Sequence, residues 1–466
     1  MTENLKPYAE YKDSEEKWLG NVPRHWPLLP NRALFKEAKD RNHPKEEMLS
    51  ITITRGIIRQ KALLANTAKK DSSNMDKAAY KLVQPGDIAY NKMRAWQGAL
   101  GASRFRGIIS PAYVVMRPRA GSTPWYYHHL YRTPSFAKEA ERWSYGITSD
   151  MWSLRPEHFR MIYAVQPPPD EQATIVRFLE HANRKIDGFI QAKQKLIELL
   201  SEQKQAIIHR AVTRGLNRDV PLKCSGIPWL GDIPQHWEVW PLKRVGWFKS
   251  GAGFPVSAQG KKELEVPFLK VSDMNLPGND VWMESSSNTV SRETAQKLGA
   301  FIFPADSIIF PKVGGAMLTN KRRLLKRPSC IDNNVMGCVV RRGHLGFIFL
   351  LLQQLDLGRL SKPGPVPAIG EGEVREIKVV FPPIDEQKAI VPIVEKETEP
   401  LSNAIARTKR EIALMQEYRI RLNADIVTGK LDVREAAAEL PELSSDSDSE
   451  PLSEETGEEI ESEAVP

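Results

Sequence analysis

Trp18-Leu19-Gly20-Asn21-Val22-Pro23-Arg24-His25-Trp26 returns in the same chain as Trp229-Leu230-Gly231-Asp232-Ile233-Pro234-Gln235-His236-Trp237, 211 residues later. A second phrase also recurs: Pro167-Pro168-Pro169-Asp170-Glu171-Gln172 comes back as Pro382-Pro383-Ile384-Asp385-Glu386-Gln387, offset by 215. The order is motif, variable block, helix, then motif, different block, helix. A period above 200 residues is too long for a solenoid, so it implies two related halves and two similar sites. An old duplication without functional meaning is the bland alternative.

Each Asp-Glu-Gln phrase opens a long helical pattern. After Asp170 the apolar positions fall at Ile175, Leu179, Ala182, Ile186, Phe189, Leu196, Leu200, Ile207 and Ala211, with Lys193 and Gln203 at the two skipped places. That alternation of three and four is a heptad seam. The second pattern runs through Ile390, Val394, Leu401, Ala404, Met415, Tyr418, Leu422 and Ile426. Each spans about 40 residues, or about 60 Å of helix. Two such helices in one chain most simply pack on each other, and an antiparallel pairing would put the blocks at opposite ends. Separate helices capping separate domains are the other arrangement. Asp170 and Asp385 read as N-caps, and the glycines of Thr213-Arg214-Gly215 and Thr428-Gly429 as stops. Pro392 fits the first turns, whereas Pro400 should kink or break the second helix.

Charge is unevenly distributed. The chain carries +8 overall, but residues 435–466 hold 12 acidic residues and no Lys or Arg, so residues 1–434 carry +20. A body that basic suits a polyanionic partner, DNA or RNA first. The tail, with its Ser444 to Glu450 run of serine and acidic residues, reads as a disordered appendage. Its alternatives are a solubiliser or a competitor for the basic surface. No apolar run is long enough to span a membrane, and Met1 to Glu10 holds no signal core. Cys224, Cys330 and Cys338 have no metal-type spacing and read as reduced thiols, which fits a cytoplasmic location.

The variable blocks, 27–166 and 238–381, share little beyond their frame. Both contain short β-like runs broken by Gly and Pro, at Met48 to Thr54, Asp87 to Tyr90 and Ile108 to Met116, then Phe268 to Val271, Ser307 to Phe310 and Val335 to Val340. Each block therefore reads as a compact α+β domain. Basic, amide and aromatic residues cluster in loop-like places. The first block offers Asn91, Lys92, Arg94, Trp96 and Gln97, then Arg104 and Arg106. The second offers Lys312, then Asn320, Lys321, Arg322 and Arg323, then Asn333 and Asn334. Arg and Lys pair with guanine edges, and Asn and Gln with adenine, so these are the candidate DNA-binding residues. Solvated turns are the structural alternative for each cluster.

Catalytic constellations are missing from the sequence. It has no Gly-x-x-x-x-Gly-Lys-Ser/Thr loop, no Gly-x-Gly-x-x-Gly after a strand and no Asn/Asp-Pro-Pro-Tyr/Phe run for holding a target base. The adjacent pair His128-His129 lacks a Cys or acidic partner at ligand spacing, so it reads as surface or core. The expected class is a binder without catalytic or metal residues.

The ordered frame resembles the specificity subunit of type I restriction-modification enzymes over most of residues 8–434. The match includes Tyr11-Lys12-Asp13-Ser14, Gly107-Ile108-Ile109-Ser110-Pro111-Ala112-Tyr113, Phe268-Leu269-Lys270-Val271-Ser272-Asp273-Met274-Asn275 and Ile331-Asp332-Asn333-Asn334-Val335-Met336. The resemblance implies an α+β fold: two target-recognition domains, 1–166 and 217–381, separated by spacer helices 167–216 and 382–434 in an antiparallel coiled coil, with an acidic tail at 435–466. Each domain would read one half of an asymmetric, bipartite site on double-stranded DNA, and the helices would set the gap. Expected partners are two modification (methyltransferase) subunits and restriction (motor-nuclease) subunits. This chain would hold no cofactor, leaving S-adenosylmethionine, ATP and Mg to those partners. Pro400 and the acidic tail depart from the pattern. The rivals are a coiled-coil scaffold joining two protein-binding domains, and a nuclease or methyltransferase with a degenerate motif.

Overall fold

The computed structural model describes residues 5–65, 77–148, 151–217, 219–361 and 366–440. The chain divides into two compact units, Met1–Gln194 with Lys409–Pro466, and Lys195–Thr408. Each unit holds one variable block and a share of both long helices, Pro169–Arg214 and Ile384–Val427.

The blocks are built on the same strand order. The first sheet runs Phe35–Ala38, Tyr113–Pro118, Ile88–Asn91, Leu100–Ala102, all antiparallel. The second runs Gly246–Ser250, Val335–Val340, Ile308–Pro311, Arg323–Leu325, again antiparallel, and adds Trp282–Met283 in parallel at its edge. The β-like run from Ile108 to Met116 splits into Gly107–Ile109 and Tyr113–Pro118, because Pro111 has no N–H to give a ladder. A two-stranded pair closes each block, Leu28–Pro30 with Tyr163–Val165 and Glu238–Pro241 with Lys378–Phe381. Trp26, Phe35, Tyr126, Tyr127 and Tyr131 anchor the first core; Trp237, Phe248, Phe347 and Ile348 anchor the second.

The recurring phrases recur because they bond to each other. Gln172 is buried; its Nε2 donates to the Pro167 carbonyl at 2.7 Å and its Oε1 accepts the Thr123 N–H at 2.8 Å. Gln387 repeats this, donating to Pro382 at 2.8 Å and accepting the His344 N–H at 2.8 Å. Thr123 and His344 are the N-caps of the block helices Pro124–Tyr131 and Leu345–Gln353, so each glutamine ties a block to its long helix. The preceding carboxylates reach the Trp-Leu-Gly motifs. Glu171 bonds His25 Nε2 at 2.9 Å, and Glu386 bonds His236 Nε2 at 2.6 Å and accepts from Trp237 Nε1 at 2.9 Å. A buried polar group is costly unless paired, so these positions depend on one another.

The helices begin two residues earlier than N-capping aspartates would set them. Pro168 and Pro383 supply the capping carbonyls, accepting from Gln172 and Gln387 N–H at 2.9 and 3.1 Å. Asp170 and Asp385 lie inside the first turn, where negative charge favours the helix dipole. Gly215 and Gly429 end the helices with left-handed φ values of +73° and +76°. Contrary to the expectation, Pro400 does not break the second helix, which continues through Pro392 and Pro400. Each proline removes one backbone bond; the buried positions Ile390, Val394, Thr398 and Thr408, on both sides of Pro400, hold the helix packed.

Pairing is antiparallel in each unit. In the first, Asn183 bonds Asn423, Asp187 pairs with Arg419 and Lys193 with Glu411. In the second, Lys204 bonds Ser402 and Arg210 pairs with Glu397. The seam is corrected at two places. Phe189 and Leu196 are 36% and 39% exposed, while Ile190 and Ile208 point inward, because a 3.6-residue turn drifts from a 3.5-residue repeat.

The acidic tail starts later than residue 435. Arg434–Ala438 is helical, Val433 and Ala437 are buried, and Arg177 Nη2 donates to the Ala437 carbonyl at 2.6 Å. The remaining tail, 441–466, lies outside the described residues. Among the described residues no helix is long and apolar enough to cross a membrane.

Candidate nucleic-acid interface

Strand order decides which candidate residues meet. In the second sheet Pro311 pairs with Val335, and Lys312 N–H donates to the Asn334 carbonyl at 2.9 Å. Arg323 pairs with Ile309, so Lys321 falls two residues earlier, at the Pro311 end. Lys312, Lys321, Asn333 and Asn334 therefore converge on one end of the sheet. Asn333 and Asn334 are exposed and the two lysines partly so. Lys321 Nζ donates to Asn275 Oδ1, which brings in a residue not among the candidates. Gly251 and Ala252 donate to the Val335 and Ile331 carbonyls at this end, both at 3.0 Å. In the sequence Asn275 stands out only as the last residue of the Phe268–Asn275 phrase, and nothing in its spacing points to Lys321.

Arg322 is a correction. It is 2% exposed, and its guanidinium donates to the carbonyls of Leu352, Lys321 and Leu355 at 3.1, 2.9 and 3.1 Å and to Asn320 Oδ1 at 2.8 Å. Burial pushes its pKa down to about 9, which still leaves it charged at neutral pH. Asn320, in a left-handed conformation at φ +52°, donates to the Gln353 carbonyl at 2.7 Å. Together Asn320 and Arg322 help tie off the last carbonyls of helix Leu345–Gln353, adding to the Leu355 N–H that the Leu352 carbonyl accepts at 3.3 Å. Arg323 is likewise turned to backbone, donating to Arg322 and Met274 carbonyls at 2.9 and 3.3 Å, and burial lowers its pKa. These three are structural, not solvent-facing loop residues.

In the first sheet the turn after Asn91 sits at the corresponding end. Asn91 itself is buried, its Oδ1 accepting the Met93 N–H at 3.0 Å, so it shapes the turn instead of facing solvent. Trp96 Nε1 donates to the Met93 carbonyl at 2.9 Å and its ring meets Trp152 edge-on at 5.6 Å. Lys92, Arg94 and Gln97 stand on this turn, with Gln97 exposed. Arg104 and Arg106 are not brought to it. Ala102 pairs with Ile88, so both arginines come next, at the opposite end of the sheet. There Arg104 pairs with Glu180 at 3.1 Å and lies over Trp125 at 4.3 Å, and Arg106 pairs with Glu46 at 2.8 Å. Exposed pairs of this kind are worth at most about 1 kcal/mol, so a phosphate could displace them.

Comparison with known proteins agrees with this frame. Residues 234–413 match the family described as type I restriction modification DNA specificity domain. The chain is 24% identical over 286 residues to the type I restriction enzyme MjaVIII specificity subunit of Methanocaldococcus jannaschii, covering 59% of this chain and 64% of that one. It is 22% identical over 457 residues to the putative MjaX specificity subunit of the same organism, covering 92% and 99%. Its fold is similar to a chain from a structure concerned with complex assembly and conformational transition of the type I R-M system. That likeness has a TM-score of 0.60 at 13% identity and covers 88% of this chain and 99% of that one. By its repeated frame, its matching domain at residues 234–413 and these relatives, the chain is similar to the specificity subunits of type I restriction enzymes.

Proposed function

We propose that this chain is the non-catalytic, sequence-specific DNA-binding subunit of a type I restriction-modification complex. One observation carries the reading: strand order, capping glutamine and helix repeat between the units, while the turns at the sheet ends differ. A constant frame with divergent turns suits two modules that hold the DNA backbone alike and read different bases. The site is accordingly bipartite and asymmetric. The two long helices act as the ruler between half-sites and as docking surfaces for two methyltransferase subunits, with motor-nuclease subunits joining for cleavage. Two matching frames in one chain offer two copies of one partner equivalent places. S-adenosylmethionine, ATP and Mg belong to those partners.

The test is a single-molecule methylation map of a methylation-free host carrying this gene and its neighbouring modification gene. N6-methyladenine in one split, asymmetric motif, lost on deletion of this gene, is the expected result. Methylation that persists without it would move sequence choice to the partner and overturn the reading.

A further inference from the structure

A basic face recurs in both units, carried by the repeated frame and not by the variable turns. It surrounds the short helix that opens each block, Asn31–Leu34 in the first unit and Leu242–Val245 in the second. Three matching contacts fix it. The first N–H of the helix, of Asn31 or Leu242, donates to the Ile162 or Ile377 carbonyl, both at 2.9 Å. The last carbonyl, of Leu34 or Val245, accepts the N–H of Arg119 or Arg341 at 2.8 and 2.9 Å. Arg32 Nη1 donates to Met161 Sδ at 3.0 Å where Lys243 Nζ donates to Glu376 at 2.8 Å.

Three positions around the helix are thus basic in both units: Arg32 and Lys243, Arg119 and Arg341, Arg160 and Arg375. Arg160 and Arg375 stand at the same place in the last short helix of each block, Pro156–Met161 or Glu371–Glu376. All six residues are exposed. Among the described residues the side chains of Arg119, Arg160, Arg341 and Arg375 enter no ion pair or hydrogen bond. The carboxylates of the second unit's last helix are engaged, Glu376 by Lys243, Glu371 by the Ser250 N–H and Glu373 by the Gly370 N–H; Glu157 in the first unit is exposed.

Two features point to a protein partner. A core places no demand for charge on exposed positions, yet charge is kept at three matching places in blocks that share little else. The face is also remote from the turns after Lys92 and Lys312. It stands at the opposite end of the six-residue strands Tyr113–Pro118 and Val335–Val340, whose first residues pair with Asn91 and Pro311. That is about 20 Å at about 3.4 Å per residue, more than two Debye lengths of about 8 Å at physiological salt. DNA held at those turns leaves this face open.

We propose that the face docks an acidic protein surface, with one copy of the same partner on each unit. Lys243 in place of Arg32 keeps the charge and loses the planar fork, so the contact calls for charge complementarity without bidentate geometry. Taking that partner to be the methyltransferase subunit rests on the proposed function; its docking surface then extends from the long helices onto the blocks.

The experiment uses the full chain with the product of its neighbouring modification gene, bound copies being counted by native mass spectrometry and affinity measured by calorimetry. The variants are Arg119→Glu with Arg160→Glu, Arg341→Glu with Arg375→Glu, and the same pairs changed to Gln; thermal melting checks each fold. Either glutamate pair should weaken one of the two copies by about ten-fold or more and leave the other unchanged, the glutamine pairs by less. The difference from wild type should shrink in high salt. Wild-type binding of both copies by every variant overturns the inference and leaves the proposed function standing. An equal loss in the control Arg292→Glu with Lys297→Glu, an exposed pair on helix Arg292–Lys297, reports net charge alone and overturns it too. Anisotropy with a short duplex and no partner should give wild-type affinity; a ten-fold loss there reassigns the face to DNA. If the wild type binds no modification subunit, the docking reading falls and this face falls with it.

Discussion

Lys92 and Lys312 occupy equivalent places in the two units. Each directly succeeds the third strand of its sheet order, Ile88–Asn91 or Ile308–Pro311. Each also offers its carbonyl to an N–H from late in its block, that of Leu154 at 2.9 Å and of Ile369 at 3.0 Å. The segments after the two lysines differ: a 3-10 turn at Ala95–Gln97 in one unit, a short helix at Gly315–Leu318 in the other. A fixed lysine with a variable turn beside it suits a phosphate anchor next to a base-reading element.

Replacing Lys312 and Lys321 together with alanine should weaken duplex binding and flatten its dependence on salt. The slope of log affinity against log salt should fall by about 0.9 for each lost phosphate contact. Lys92→Ala should flatten it by one such step. Anisotropy titrations across a salt series measure this, and an unaltered slope would remove these lysines from the backbone contacts.

Arg322→Met should behave oppositely. Its four hydrogen bonds and its place over the Phe310 ring, 4.9 Å from the centroid, are internal. Removing it takes a charged donor from the carbonyls of Leu352 and Leu355, at a cost of about 1–3 kcal/mol in urea unfolding. The salt slope of the folded fraction should stay as in the wild type. A reduced slope with undiminished stability would return Arg322 to the interface.

Gln172→Ala and Gln387→Ala test the tie between block and helix. Each leaves one cap N–H, of Thr123 or His344, without its acceptor, and one proline carbonyl without its donor. The expected loss is about 1–3 kcal/mol, with faster hydrogen exchange at Thr123 in the first variant and at His344 in the second. Exchange that stays as slow as in the wild type at both amides would mean the glutamines do not hold the caps.

The frame was legible in the sequence because its residues are constrained twice, once by local backbone and once by a distant partner. Trp26 and Trp237 are fully buried, and Gln172 and Gln387 are spent on fixed backbone groups, so both halves keep the same letters at the same offsets. The candidate site was less legible. Composition cannot tell an arginine turned to solvent from one tying off a helix, so Arg322 and Lys321 looked alike although only one is buried. Nor could spacing place Arg104 at the far end of the sheet from Lys92, since that depends on the hairpin register of Ala102 with Ile88. The equivalence of Lys92 and Lys312 was hidden because the turns after them differ in conformation. Pro400 misled for a related reason: a local penalty of about 3 kcal/mol is visible in sequence, while the packing that outweighs it is not.

The first unit should lose stability in mild acid. Burial, then the charges of Arg132 and Arg104, lower the pKa of His129 to about 4, and burial with Arg132 lowers that of His128 as well. An unfolded histidine titrates near 6.5, so between that pH and about 4 the unfolded chain binds protons that the folded one refuses. Stability is therefore full above about 6.5 and falls as the pH drops toward 4, by at most about 1.4 kcal/mol per pH unit for each imidazole. His129→Gln removes one of the two groups and should reduce that slope by about half. Urea unfolding between pH 4.5 and 7 measures it, tracking a probe confined to the first unit such as hydrogen exchange at Thr123. An acid slope as steep in His129→Gln as in the wild type would show that His129 is not held neutral by its surroundings.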